Sequence, residues 1–250
     1  PGCVDSAGRI TGRIRRGREA GPVAGGELNL HHLFFFGFDD LFDAADEIIG
    51  DFLHAVLAMF VTHARGTAKT LRQEFASKFG HFLVTKHVLH NGEVAGKSSN
   101  MAWAGKQLIK ALKTWGISID HTTVTSCDAD AMLHPKYLSY FTFQYLIDPE
   151  RMYHFYQGAI LYYYNIWRIP LPNRFMNTLS SIWNLSLLSQ KGKLINTSTY
   201  SLSFATAIRG GNWAVDVIPE DYHLYFQMYF AFGEKVHTKP IFLPILVDAA

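Results

Sequence analysis

The chain has 250 residues, of which 48% are hydrophobic, 18% charged and 14% aromatic. That composition supports a sizeable core and excludes an intrinsically disordered chain. A formal net charge of +2 excludes a global electrostatic footprint for nucleic acid, and two cysteines, Cys3 and Cys127, exclude a disulfide framework and point to a reducing compartment.

Residues 1–27 read as a Gly/Arg/Ala-rich linker, and Arg13, Arg15, Arg16 and Arg18 among its glycines as a solvated arm. Residues 28–50 join Phe34-Phe35-Phe36 to an acidic run from Asp39 to Glu47 and yield no assignable element. The expected organisation is a poorly ordered or divergent segment over 1–50 and one domain over 51–250. The chain opens without Met and stops just after an apolar run, so it reads as a piece of a longer protein, incomplete at both ends. No stretch reaches the ~18 consecutive apolar residues that span a bilayer.

Phe52–Val61 is a short apolar run, expected as a buried strand. Thr67–Phe79 carries Leu71, Phe75 and Phe79 at helical spacing, and His81–Val88 reads as a second strand. Ser98–Trp115 is a helix with Ala102, Leu108, Ile109 and Leu112 on one face and Gly116 as its stop. Ile119–Cys127 has the β-branched composition of a central strand, with Cys127 as a buried thiol. Strands alternating with helices predict an α/β fold with a mainly parallel, Rossmann-like sheet flanked by helices. Ligands bind such sheets at the carboxyl ends of strands, which gives weight to the residues just after Cys127.

Further on, residues 135–148 read as a helix opened by Pro135, and Met152–Ile160 as a strand. Leu161–Leu188 is an aromatic-rich helical insertion with two prolines and few charges, readable as a helical pair covering the core or as an amphipathic segment at a membrane interface. Ser198–Gly211 reads as loop, short helix and Gly-Gly turn, Pro219–Phe232 as a helix and Pro240–Val247 as a strand.

Three constellations carry chemistry. Asp128-Ala129-Asp130 sets two carboxylates at a strand end, a donor set suited to Mg²⁺ or Mn²⁺ shared with phosphates, although such pairs also occur in ordinary turns. Glu220 and Asp221 follow Pro219 at a helix start, where they answer the helix dipole or supply a general base. Gly96-Lys97-Ser98-Ser99-Asn100 precedes a helix, where backbone amides and Lys97 can approach phosphates, or Ser98 can cap; the P-loop spacing is absent. Cys127 is a poor nucleophile beside two carboxylates.

In their order along the chain these motifs, with Ser198-Thr199-Tyr200-Ser201 and Gly210-Gly211-Asn212-Trp213, resemble the family 2 glycosyltransferases, the inverting GT-A group that includes cellulose- and hyaluronan-synthase-like enzymes. The resemblance spans residues 55–248. It implies a GT-A-like fold and transfer of a sugar from a UDP- or GDP-linked donor to a saccharide or lipid-linked acceptor. Asp128 and Asp130 would contact nucleotide and cation, with Asp130 the direct ligand. Asp221 would be the base with Glu220 beside it, Lys97 and Asn100 would lie near the nucleotide, and Gly210, Gly211 and Trp213 would shape the acceptor side. It also implies a membrane-associated protein with its catalytic domain on the cytoplasmic side and any transmembrane helices outside this chain. The family's base-gripping Pro-x-x-Asn-Glu-like loop has no match in residues 1–50, and its Gln-x-x-Arg-Trp motif is absent. The competing expectation is a sugar-nucleotide-binding or interaction domain without catalysis.

Overall fold

The computed structural model describes residues 33–36, 56–60, 72–73, 76–78, 80–128 and 130–249. Among them the elements run β1 (Leu33–Phe36), β2 (Val56–Phe60), β3 (His81–Thr85), α1 (Lys97–Trp115), β4 (Thr123–Cys127), β5 (Met132–Leu133) and α2 (Tyr137–Ile147). They continue with β6 (His154–Leu161), α3 (Leu171–Ser189), β7 (Tyr200–Ser203), α4 (Phe204–Arg209), α5 (Glu220–Phe232) and β8 (His237–Leu246). The fold is mixed α/β. Most of the helix expected over Thr67–Phe79, and all of residues 1–32 and 37–55, lie outside the described residues.

The strands form one sheet in the order β3-β2-β1-β4-β7-β6-β8-β5. Only β2–β3 and β6–β8 pair in parallel; β1–β2, β1–β4, β4–β7, β6–β7 and β5–β8 are antiparallel. The mainly parallel sheet expected from the sequence is therefore corrected to a mixed one. The polarity of the expected strands is nonetheless common: β2, β3, β4, β6 and β8 all run the same way, with β1, β7 and β5 opposed to them. What sequence reading lacked were β1 and β7, short segments with too little length or alternation to show as strands. Inserted between longer strands, they turn parallel neighbours into antiparallel ones.

Helix α1 forms where the apolar spacing says it should. Ala102, Leu108 and Leu112 are buried against the sheet, with Ile109 partly buried beside them. Gly116 ends it at φ 72°, a left-handed conformation that costs glycine little, and the Ile117 N–H returns to the Leu112 carbonyl at 2.9 Å. The strand expected from Ile119 starts only at Thr123, because Ser118 accepts the Asp120 N–H and winds Ile119–His121 into a 3-10 turn.

Two cores lie on opposite faces of the sheet, because neighbouring residues of a strand point to opposite sides. Phe155 of β6 joins Met101, Leu108, Val124, Leu202 and Met228 under α1 and α5. Tyr156, next in sequence, joins Tyr137, Phe141, Ile241 and Ile245 under α2. Each such buried apolar side chain contributes roughly 1.5–3 kcal/mol.

Candidate functional site

The carboxyl ends of β4, β6 and β8 point to one edge of the sheet, and chemistry collects there. Asp128 and Asp130 follow β4, Tyr162 follows β6, and Val247 and Asp248 follow β8. Ser198 reaches the same edge just before β7, which runs the opposite way. The first residues of α1 and α5 complete the wall with Lys97, Glu220 and Asp221, enclosing a cleft of about 430 Å³. Tyr222 forms its rim.

One lysine joins the two acidic pairs. Lys97 Nζ donates to Asp128 Oδ1 at 2.7 Å and to the Ser198 carbonyl at 2.6 Å, and stands 2.8 Å from Glu220 Oε1. Ser198 commits all its polar groups to the site: its carbonyl accepts from Lys97, its hydroxyl donates to Asp128 Oδ2, and its N–H donates to Asp221 Oδ2 at 2.8 Å. This requires φ of 57° at Ser198, a left-handed backbone uncommon for a residue with a side chain. Gln157 of β6 fixes the loop from beneath, accepting the Thr197 N–H at 2.6 Å and donating to the Thr197 hydroxyl at 3.2 Å.

Five acids, Asp128, Asp130, Glu220, Asp221 and Asp248, face one lysine across the cleft. Burial pushes the Lys97 ammonium down, but Glu220 and Asp128 outweigh it and hold its pKa above the ordinary lysine value. Burial raises Glu220, and Lys97 offsets this only in part, since Asp221 repels charge beside it. The ion pair favours charge on both partners. It prevails at Lys97, which faces two carboxylates, whereas burial prevails at Glu220. Asp130 is raised by burial and by Asp128 and Asp248, against the Asp130 and Asp248 N–H groups that its carboxylate accepts. Cys127 is a buried free thiol pushed up to about 12, by burial first and Asp128 next, so it is no nucleophile.

Several expected site residues lie elsewhere. Asn100 is buried one turn further along α1, its Oδ1 2.9 Å from His87 Nδ1, and does not line the cleft. Trp213 is 2% exposed in the core and donates Nε1–H to the Tyr200 hydroxyl at 2.9 Å. Gly210 packs where a Cβ would stand 2.9 Å from Met228, and Gly211 takes φ of 119° beside Gln227. None of these three lines the cleft. Ser98 does not cap α1; its hydroxyl donates to the Ala214 carbonyl. Sequence reasoning missed Tyr162, Ser198, Tyr222 and Asp248. Asp248 and Tyr162 carried a usable signal, since each follows the carboxyl end of an expected strand. Ser198 stood in the Ser198-Thr199-Tyr200-Ser201 motif of the resemblance, but nothing in that motif gave it a role in the site.

Among the described residues, no three His, Cys, Asp or Glu side chains gather closely enough to enclose a metal ion by themselves. Mg²⁺ held jointly with phosphates needs only one or two protein carboxylates, and the oxygen-only donors and excess of acid suit that arrangement. Asp128 already holds Lys97 on one carboxylate oxygen and Ser198 on the other. No family model matches this chain, and no curated protein matches it either.

Proposed function

We propose that the chain is a metal-dependent inverting glycosyltransferase of GT-A-like architecture, moving a sugar from a UDP- or GDP-linked donor to a hydroxyl of a saccharide or lipid-linked acceptor. One observation carries the reading: the cation-type acids Asp128 and Asp130 and the base-type acid Asp221 face one cleft, tied together through Lys97 and Ser198. Single displacement with inversion needs only that set: a base on the acceptor side and positive charge on the leaving side. A bound Mg²⁺ or Mn²⁺, held by Asp130, would neutralise charge on the departing diphosphate.

Asp221 takes the proton of the acceptor hydroxyl. Its carboxylate accepts the Ser198 and Tyr222 N–H groups, each at 2.8 Å, which orients it. Glu220 is 5% exposed and set against Lys97, so its role is counter-ion. Tyr162 and Tyr222 supply aromatic faces for a sugar ring.

Calorimetry with UDP and GDP, with and without Mn²⁺, followed by product assay with the corresponding sugar nucleotides, tests the reading. Asp130→Asn should abolish the cation-dependent part of binding. Asp221→Asn should leave binding intact and lower turnover by about 10²–10⁴-fold. Cation-dependent binding that survives Asp130→Asn would sink the proposal, and binding without turnover by the intact chain would make it a sugar-nucleotide-binding module instead.

A further inference from the structure

Helix α3 is built inside out. Of its 19 residues only Ser181 and Leu188 are buried, while Leu171, Phe175, Leu179, Ile182 and Trp183 are 45–72% exposed. At about 100° per residue these five fall within an arc of roughly 120°, a continuous apolar stripe. The side that meets the protein is polar along most of its length and apolar only at its end, where Leu187 and Leu188 pack with Ala159 and Leu194. Ser181 accepts the Tyr162 N–H at 3.0 Å and donates to the Asn177 carbonyl at 2.9 Å. A helix whose polar side serves the fold and whose apolar side faces outward leaves that stripe for something else to cover.

Charge identifies what covers it. Between Glu150 and Asp216 the sequence holds no acidic residue and six cationic ones. Arg168 lies just before α3, and Lys191 and Lys193 just after it; all three are exposed. Trp167, 80% exposed, and Trp183, 67% exposed, stand towards the two ends of the stripe. Apolar stripe, flanking cations and tryptophans together are the composition of a helix lying in the headgroup layer of an anionic membrane. No helix among the described residues is long and apolar enough to cross a membrane, so contact through α3 is with the surface.

We infer that α3 is a membrane-docking surface that seats the protein on anionic lipid with its stripe in the acyl boundary. Nothing in this depends on the chemistry of the cleft. The two are adjacent all the same, since Ser181 holds the backbone of Tyr162, which lines the cleft.

Flotation of the whole chain with vesicles tests it, comparing pure phosphatidylcholine with vesicles holding about 30% phosphatidylglycerol. Binding to the anionic vesicles is expected, weakened in high salt and by Lys191→Glu with Lys193→Glu. Phe175→Ser with Trp183→Ser should reduce it by about tenfold or more. Both side chains are more than 60% exposed, so the pair should leave the far-ultraviolet circular dichroism unchanged. Should that variant fail to fold, quenching of the unmodified protein's tryptophan fluorescence by acyl-brominated phosphatidylglycerol is the second measurement, and quenching is expected. No flotation with anionic vesicles, unquenched fluorescence, or binding indifferent to the Phe175/Trp183 pair would each overturn the inference. So would self-association that the pair abolishes in the absence of vesicle binding, which would assign the stripe to a second copy.

Discussion

Lys97 shows how one side chain makes an acidic cleft compatible with a stable fold. Its ammonium is the counter-ion of Asp128 and of Glu220, which has 6% side-chain exposure. Lys97→Met strands the Glu220 charge and should cost about 3 kcal/mol in urea unfolding, with Glu220→Gln recovering part of it in the double variant. A loss under about 1 kcal/mol would mean that the pair contributes little more than a surface bridge. Asp148 is a second case, remote from the cleft. Its Oδ2 takes hydrogen bonds from His154 at 2.6 Å and Tyr156 at 2.7 Å, and Lys239 lies 2.7 Å away. Burial pushes Asp148 up, but Lys239, His154 and Tyr156 outweigh it and hold it well below the usual carboxylate range. A folded value below the unfolded value near 3.8 means stability present above that pH and lost as pH falls towards the folded value. Asp148→Asn should therefore cost about 2–3 kcal/mol at neutral pH, and the gap to the unsubstituted chain should narrow below about pH 4. Equal gaps at pH 7 and pH 3 would refute the ionic origin.

At the scale of elements, β6 joins both cores to the site. Gly158 in its middle has no room for a side chain: a Cβ would stand 2.7 Å from Ile245 and 2.9 Å from Tyr137, both fully buried. Gly158→Ala should destabilise by about 1–3 kcal/mol, read as a lowered urea midpoint with unchanged slope. A neutral result would mean that the β6–β8 pair, already irregular after Gly158, yields more easily than its packing implies. The same strand positions Gln157, which fixes the Thr197–Ser198 loop, so the variant is also expected to weaken the proposed cation-dependent nucleotide binding. Helices were the most legible elements: α1 announces itself by its apolar spacing and Gly116, and α5 by Pro219 and two acids. Strand β7 was not, because Tyr200–Ser203 is four buried residues on a sheet with both faces covered, which leaves no alternation to read.

Across the whole molecule, what could be read locally was composition, spacing and strand ends. The sequence by itself determined an α/β domain, the helix that presents Lys97, the strand that delivers Asp128 and Asp130, and the acid-opened helix of Glu220 and Asp221. Those features follow from short-range periodicity, capping and turn chemistry, which act within a few residues. Closeness to Lys97 along the chain is not closeness in space: about 4.5 Å of helix rise carries Asn100 away from the cleft to His87. Only the tertiary structure decided that β6 and β8 end beside β4, bringing Tyr162 and Asp248 to the acids, and that Ser198 ties Lys97, Asp128 and Asp221 together. Those outcomes depend on strand order and direction. Hydrogen bonds between segments some 40 to 80 residues apart set them, as in the pairing of Thr125 with Ser201 and of Phe155 with Leu202, and no local pattern encodes such pairings.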